Sequence, residues 1–256
     1  GCAMSTPLKG CAFVTGGSRG IGAAIARRLS EAGWPIAIGF RKNASAAEYL
    51  AHTLADPRDV RCVQCDVTSE TDVESAFSEL EATYGRVAVL VNNAGFHKDG
   101  LTVGLQDTDW ERVIDVNLTG AFRTSRRAVG PMVRARHGRI ISITSILAHQ
   151  ALPGTTNYAA AKSGLTGLMR VMATELAPRG ITVNAVAPGL VRTEIVTDVG
   201  HFENSARREV PMGRAASVDD IASGVAFLAS EQASYITGHT LTIDGGPSAS
   251  AFNISA

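Results

Sequence analysis

Residues 15–22 read TGGSRGIG and follow directly on a short apolar run that begins at residue 10. The run predicts a strand, and the amphipathic residues 21–32 predict a helix, which Gly33 and Pro35 end. A strand, a glycine-rich turn and a helix in this order let bare backbone approach a pyrophosphate at the helix N-terminus. The spacing is GxxxGxG, which departs from the usual GxGxxG of dinucleotide-binding turns. The stretch therefore predicts a dinucleotide-binding unit of a variant type.

The rest of the chain repeats the pattern of a strand followed by a helix. Further strands are predicted at residues 34–40, 60–66, 87–91, 139–144, 181–187 and 240–243. Further helices are predicted at residues 44–55, 70–84, 107–136, 158–177 and 218–230. This alternation predicts an α/β fold: a single-domain, Rossmann-like, doubly wound parallel sheet of about seven strands with helices on both faces.

No repeat, linker or change of composition divides the chain, so residues 9–246 are expected to form one dinucleotide-binding domain. Residues 193–212 have mixed polarity and are expected to form a mobile substrate lid. Residues 1–8 are expected to be a disordered or tag-derived N-terminus, and residues 247–256 a small, polar C-terminal tail.

Composition excludes several classes of function. The 24 basic and 24 acidic residues cancel, so nothing indicates attraction to nucleic acid or to an anionic membrane. No apolar run approaches the roughly 20 residues of a membrane span, and the first residues lack the layout of a signal peptide. A cytoplasmic protein is expected. Cys62 and Cys65 form a CxxC, but no second pair completes a zinc site, so they are interpreted as two strand thiols with no metal.

The end of the second predicted strand indicates which nicotinamide cofactor binds. A carboxylate there would bind the ribose hydroxyls of NAD, but this strand ends GFRKN at residues 39–43. Arg41, with Lys42 beside it and Arg19 in the glycine turn, suits a 2′-phosphate instead. NADPH is therefore the expected cofactor. Asp66, at the end of the third strand, is expected either to accept from the adenine amino group or to cap the next turn.

Residues 157–164, NYAAAKSG, place Tyr158 and Lys162 four positions apart on one face of a predicted helix. A phenol titrates near ~10, and lowering that pKa by about 3 units takes roughly 4 kcal/mol. One cation about 4 Å away supplies about that much at an effective dielectric of about 20. YxxxK pairs also arise by chance on solvated helices, but here the rest of the chain supplies the other parts of a site. Lys162 is therefore expected to lower the pKa of Tyr158 and make it a working acid.

The segment from residue 107 to residue 139 is the most basic part of the chain. It carries Arg123, Arg126, Arg127, Arg134, Arg136 and Arg139. Two interpretations stay open: a solvated helix face, or a docking patch for an acidic carrier or a phosphate-bearing substrate.

With these residues in place, the chain from about residue 9 to residue 246 resembles the short-chain dehydrogenase/reductase family. The shared motifs are TGGSRGIG, NNAG at residues 92–95, Asn117, Ser145, YAAAK and the Pro188-Gly189 pair. Within the family the phrases RHGRIISI, RGITVNAVAPG and the SYITG-to-DGG close are most similar to 3-oxoacyl-acyl-carrier-protein reductases. The resemblance implies NADPH-dependent reduction of a carrier-bound 3-oxoacyl thioester, in fatty-acid or specialised polyketide-type synthesis.

The resemblance also implies a catalytic tetrad. Tyr158 would protonate the carbonyl oxygen as hydride arrives, and Ser145 would hydrogen-bond that oxygen. Lys162 would hold the nicotinamide ribose and lower the tyrosine pKa, and Asn117 would hold a water that links Lys162 to a proton relay. The implied cofactor contacts are Thr15, Gly16, Ser18, Arg19, Gly20, Ile21, Gly22, Arg41, Asp66, Val67, Asn93, Ala94, Gly95, Tyr158, Lys162, Pro188, Gly189, Val191 and Thr193.

Two further groups of residues are assigned from this resemblance and from position. The expected substrate pocket, mostly apolar with a few imidazoles, comprises Phe96, His97, Ile146, Leu147, His149, Leu152, Ile195, His201 and Phe202. The expected carrier-docking residues are Arg126, Arg127, Arg134 and Arg179. Gly130-Pro131 stands where the carrier-protein reductases commonly have a basic residue, which is a departure from their pattern.

The family commonly forms tetramers, and a homotetramer is expected here, packed through residues 107–136, residues 158–177 and the last helix and strand. Two alternative functions stay open. One is oxidation or reduction of a free alcohol or ketone, such as a sugar, polyol or steroid. The other is a catalytically silent NADPH-binding sensor or scaffold, which would be marked by loss of the tyrosine or lysine; both are present.

Overall fold

Seven strands form one parallel sheet in the computed structural model, which describes residues 10–54, 59–194 and 198–249. The strand order is β3-β2-β1-β4-β5-β6-β7, and all neighbouring strands pair in parallel. The strands are β1 Cys11–Val14, β2 Ile36–Phe40, β3 Val60–Gln64, β4 Val87–Asn92, β5 Gly138–Ile143, β6 Ile181–Pro188 and β7 Thr240–Ile243. The predicted doubly wound sheet of seven strands is confirmed.

Eight α-helices connect and cover the strands within these described ranges. They are α1 Gly20–Glu31, α2 Ala44–Thr53, α3 Glu70–Tyr84, α4 Asp107–Ile114, α5 Gly120–Ala135, α6 Thr156–Leu176, α7 Val199–Glu209 and α8 Val218–Ala229. Buried side chains of α3, α5 and α6 pack on one face of the sheet, and those of α1, α2 and α8 pack on the other. Helices on both faces are thus confirmed. No helix in the described ranges is long and apolar enough to cross a membrane.

The helix predicted over residues 107–136 is interrupted. A π-helical turn, Asp115–Thr119, separates α4 from α5, and Asn117 is buried in it. Single π-helical turns of this kind are often found at functional sites. The predicted lid contains α7, and its residues 195–197 lie outside the described residues.

The strand order reverses direction at β1, whose neighbours are β2 and β4. In open parallel sheets a ligand crevice forms outside the carboxyl ends of the strands at such a point. The glycine turn sits there: Gly16 has a φ of 59°, and a Cβ on Gly22 would lie 2.5 Å from Asn93 Nδ2. Only glycine fits both positions, so the turn and residues 92–95 pack closely at the crevice.

Candidate active site

The glycine turn and residues 92–95 are joined by side-chain hydrogen bonds. The Asn93 amide donates to the Thr15 carbonyl (3.0 Å) and the Gly16 carbonyl (2.9 Å). The Thr15 hydroxyl accepts from the backbone N–H groups of Asn93 (3.1 Å) and Ala94 (3.0 Å) and donates to Val91 O (3.2 Å). These bonds hold the ends of β1 and β4 together, which leaves Thr15 inside the structure rather than on the crevice wall.

A cavity of about 510 Å³ opens at this place. Thirteen of the predicted cofactor residues line it: Gly16, Ser18, Arg19, Gly20, Ile21, Gly22, Arg41, Asp66, Val67, Asn93, Ala94, Gly95 and Thr193. Thr15, Tyr158, Lys162, Pro188, Gly189 and Val191 are not among its lining residues. Phe40, Lys42, Asn43, Cys65, Phe96, Val116 and Glu194 also line it, and of these the sequence had assigned Phe96 to the substrate pocket. The cavity has the place and the lining expected of a dinucleotide site.

Three of the residues that line this cavity carry a positive charge. Arg19, Arg41 and Lys42 line it and are exposed. Burial opposes ionisation of Asp66, but hydrogen bonds from Thr68 and the charges of Arg41 and Lys42 outweigh it, so the Asp66 pKa lies below its usual range. Because Asp66 Oδ1 already accepts from the Thr68 N–H (3.0 Å) and hydroxyl (2.7 Å), it forms the predicted turn cap.

Tyr158 and Lys162 lie on α6 beside the carboxyl end of β5. The Lys162 Nζ is 5.4 Å from the centre of the Tyr158 ring and donates to Ile143 O at 2.8 Å. Ser145 lies just past the end of β5 and hydrogen-bonds the Tyr158 phenol, while its Oγ also accepts from the Leu147 N–H at 3.2 Å. The structure therefore brings Tyr158, Lys162 and Ser145 together at one edge of the sheet.

The expected effect of Lys162 on the tyrosine is wrong for this arrangement. Burial raises the pKa of Tyr158 to about 12; the hydrogen bond with Ser145 lowers it and the nearby Asp99 carboxylate raises it. Burial also lowers the pKa of Lys162 to about 8. The estimate from helical spacing assumed that the ammonium faces the phenol, whereas the ammonium hydrogen-bonds the Ile143 carbonyl and both groups are removed from water.

Asn117 is buried, whereas a single asparagine within a helix would be predicted to be exposed. Its amide nitrogen donates to Phe96 O at 2.5 Å and to Val113 O at 2.9 Å. Its Oδ1 is buried and accepts no hydrogen bond from the described residues. An unpaired buried acceptor is unfavourable by about 1–3 kcal/mol. This oxygen is therefore suited to accept from a bound water, as the family's proton relay requires.

The predicted substrate-pocket residues lie on segments that are bonded to each other. Gly100 N donates to Gly154 O at 2.9 Å, Asn157 Nδ2 donates to Lys98 O at 3.1 Å, and the hydroxyls of Thr102 and Thr156 are 2.8 Å apart. These bonds bring the segment that carries Phe96 and His97 against the segment that carries Ile146, Leu147, His149 and Leu152. His201 and Phe202 lie on α7, and Ile195 lies outside the described residues.

The predicted docking arginines separate into two groups. Arg127 is paired bidentately with Glu81 (2.6 and 2.8 Å) and also with Glu74 (2.7 Å), and Arg126 is paired with Glu70 (2.8 Å). The hydrogen bonds with Glu81 hold the pKa of Arg127 above its usual range. Arg126 and Arg127 are thus engaged by carboxylates of α3, and their assignment to carrier docking stays a prediction.

Arg134 and Arg179, in contrast, are exposed and form no ion pair with the described residues. Arg136 donates to Pro178 O at 3.2 Å, which ties the end of α5 to the turn that carries Arg179. Arg139 does not belong to this surface: it is 2% exposed and pairs with Glu231. Of the arginines from Arg123 to Arg139, those that have no acidic partner among the described residues therefore lie at the carboxyl end of α5, next to the turn that carries Arg179.

Comparison with known proteins gives consistent matches along the chain. Residues 16–248 match the family profile described as Enoyl-(Acyl carrier protein) reductase. The 3-oxoacyl-acyl-carrier-protein reductase FabG of Escherichia coli is 40% identical over 236 residues, which cover 92% of this chain and 96% of that protein. The FabG of Staphylococcus aureus is 39% identical over 237 residues, with 92% and 96% covered.

Two solved structures share the fold. A putative gluconate dehydrogenase from Agrobacterium tumefaciens has a TM-score of 0.88 and 33% identity, with 94% of this chain and 96% of that chain covered. The acetoin dehydrogenase YohF from Salmonella typhimurium has a TM-score of 0.86 and 36% identity, with 93% and 96% covered. With the geometry above, these matches show that the chain belongs to the short-chain dehydrogenase/reductase family and is an oxidoreductase that acts on CH–OH and C=O groups.

Proposed function

We propose that the protein reduces the 3-oxo group of an acyl thioester, bound to acyl carrier protein, to the 3-hydroxy group with NADPH. The observation that carries this proposal is that the cavity expected to bind the cofactor and the group of expected catalytic side chains lie at the same edge of the sheet. A cavity that three cations line lies at the carboxyl ends of β1 and β4, and Tyr158, Ser145 and Lys162 lie at the carboxyl end of β5, the strand next to β4. The two FabG relatives, whose names specify 3-oxoacyl-acyl-carrier-protein reduction, support the substrate class.

The side chains suit the direction of reduction. Bound NADPH would supply the hydride, and this chain would supply the proton and the hydrogen bonds. The Tyr158 phenol is protonated at neutral pH and can donate to a carbonyl oxygen that gains negative charge, although burial, which raises its pKa to about 12, makes it a weaker acid than a free phenol. The Ser145 hydroxyl, next to the phenol, would donate a second hydrogen bond to the same oxygen. Asn117 Oδ1 would hold the water that returns a proton through Lys162.

NADPH, rather than NADH, is proposed from the charge of the cavity. Arg19, Arg41 and Lys42 line it, and β2 ends at Phe40 without a carboxylate to bind ribose hydroxyls. Three cations suit a 2′-phosphate, because charge-assisted hydrogen bonds to phosphate are among the stronger ones in proteins.

The carrier protein is proposed to dock on Arg134 and Arg179, which are exposed and free of acidic partners among the described residues. An acidic carrier would meet two positive charges there without displacing a native ion pair. We also propose a homotetramer in the cytoplasm. Exposed apolar side chains on the helices expected to pack between subunits support it: Trp110, Phe122 and Val171 are 39%, 41% and 57% exposed.

A second candidate, a dehydrogenase of small free alcohols, is supported by the titles of the two similar structures, which name gluconate and acetoin dehydrogenases. A silent NADPH-binding scaffold is disfavoured, since Tyr158, Lys162 and Ser145 are all present and adjacent.

The deciding experiment measures NADPH consumption with a 3-oxoacyl thioester on acyl carrier protein and with the same acyl group on a small thiol. It also measures NADPH formation from NADP+ with acetoin or gluconate as the alcohol. Fastest turnover of the carrier-bound substrate supports the proposal. Arg134→Glu combined with Arg179→Glu is expected to raise KM for the carrier-bound substrate only, and Arg27→Glu, at an exposed residue of α1, serves as the control. Turnover of the small alcohols alone would favour the second candidate.

A further inference from the structure

Arg112, an exposed residue of α4, lies over an aromatic ring in the candidate site. Its guanidinium carbon is 4.2 Å from the centre of the Phe96 ring. Phe96 is half-buried, with one side packed against the core and the cofactor cavity nearby. A guanidinium at this distance attracts the face of the ring, so Arg112 covers Phe96 from the solvent side.

The backbone of Phe96 is bonded to the candidate relay residue. The Asn117 amide donates one hydrogen to Phe96 O (2.5 Å) and the other to Val113 O (2.9 Å), and Val113 follows Arg112 in the helix. Since both partners are carbonyl oxygens, they determine which end of the amide faces them. The Oδ1 end therefore faces the opposite way, where it is buried without a donor from the described residues.

Phe96 occupies the middle of a segment that is fastened at each side. Asn93 fastens it to the glycine turn, and the Lys98 carbonyl accepts from Asn157. Between these two points the Ala94 N–H bonds the Thr15 hydroxyl, and Phe96 adds the contacts of its carbonyl with Asn117 and of its ring with Arg112. A shift of the Phe96 backbone would remove an acceptor from the Asn117 amide and free it to rotate.

We propose that Arg112 is a positioning residue for the reaction: by stacking on Phe96 it keeps the Phe96 carbonyl on the Asn117 amide and so holds Asn117 Oδ1 in the orientation that the proton relay needs. This rests on the proposed function. Arg112 would act through Asn117 and would touch neither substrate nor cofactor.

The first test compares the kinetics of Arg112→Met and Arg112→Lys with those of wild type, using Arg27→Met as a matched loss of an exposed arginine. Arg112→Met is expected to lower kcat by about two- to five-fold, the size of effect that a cation–π contact at an exposed site supports. The KM for NADPH should not change. Arg112→Lys should restore most of kcat, because an ammonium over the ring keeps part of the attraction. An unchanged kcat in Arg112→Met, or the same loss of kcat in Arg27→Met, would overturn the proposal.

The second test asks whether Arg112 acts through Asn117. In an Asn117→Ala background, Arg112→Met is expected to cause no further loss of kcat, because the group that it positions is gone. If the loss of kcat in the double variant equals the product of the losses in the two single variants, Arg112 does not act through Asn117. A crystal structure of Arg112→Met supplies a readout that is independent of activity: the Asn117 Nδ2 to Phe96 O hydrogen bond should be broken or lengthened, and an unchanged bond would also overturn the proposal. Wild-type protein that reduces no thioester would instead refute the proposed function, and the structural comparison would still decide the role of Arg112.

Discussion

Replacing Lys162 by methionine is expected to make the folded protein more stable at pH 7 while it removes activity. Burial lowers the pKa of Lys162 from 10.5 to about 8, so between these values the unfolded chain binds more protons than the folded one. Below pH 8 the lysine is charged in both states, and burying the charge disfavours folding by about 3 kcal/mol. Losing the hydrogen bond to Ile143 O offsets about 1–2 kcal/mol of the gain. Lys162→Met should therefore be more stable by about 1–2 kcal/mol at pH 7, or about 2–8 °C in Tm.

The pH dependence of this difference makes the test sharp. At pH 10 most of the folded wild-type protein holds Lys162 neutral, so the stability advantage of methionine should shrink by about 2–3 kcal/mol. Urea unfolding of both proteins at pH 7 and pH 10, at one protein concentration, measures this change. Lys98→Met, at an exposed lysine, is the control and should show little difference between the two pH values. If Lys162→Met lowers the free energy of unfolding at pH 7 by as much as at pH 10, or by more, the interpretation of Lys162 as a buried, desolvated ammonium is refuted.

Three further predictions concern the cofactor, the α3–α5 contact and the acid. Arg41→Ala should raise KM for NADPH about ten-fold or more and leave KM for NADH nearly unchanged, because a charge-assisted hydrogen bond contributes about 1.5–3 kcal/mol; an equal rise for both cofactors would contradict the assignment. Arg127→Met should lower the free energy of unfolding, measured in urea, by about 1–2 kcal/mol, because it leaves two glutamates of α3 without the arginine that pairs with them. Arg126→Met loses one exposed ion pair and should change the free energy of unfolding by less than about half as much. Tyr158→Phe should lower kcat by a factor of about 10²–10⁴, while cofactor binding, measured by fluorescence titration, stays intact. The oxidation rate of the wild-type protein should rise with pH up to 10, because the phenol must lose a proton whose pKa is about 12. An oxidation rate that does not depend on pH would argue against Tyr158 as the base.

Much of the fold was predictable because it depends on local sequence. The apolar runs, the glycine turn and the amphipathic segments predict strands and helices in the observed order, with ends that differ by a few residues. The interruption at residues 115–119 was not predictable, since a π-helical turn leaves the apolar pattern of a helix almost unchanged. Asn117 was assigned through family resemblance, and its own sequence context pointed to an exposed position.

Charge was the least predictable property. Arg126, Arg127 and Arg139 looked alike in sequence, but the structure pairs them with Glu70, Glu81 and Glu231, which are far away along the chain. Arg134 has no acidic partner in the part of the chain that the structure describes, although it lies on the same helix as Arg126 and Arg127. Which cations remain available to a partner is decided by the acidic residues that folding brings next to them.

The amino-acid sequence by itself determined the class of this protein: the order of the strands and helices, the glycine turn after the first strand, and the residue types of an oxidoreductase that acts on CH–OH and C=O groups. These follow from periodicity and from the chemistry of single side chains, which operate over a few neighbouring residues. The tertiary structure alone decided the protonation of Tyr158 and Lys162, the orientation of Asn117 and the set of free arginines. Each of these depends on burial and on partners from distant segments, because desolvation and hydrogen bonding act through space and not along the chain.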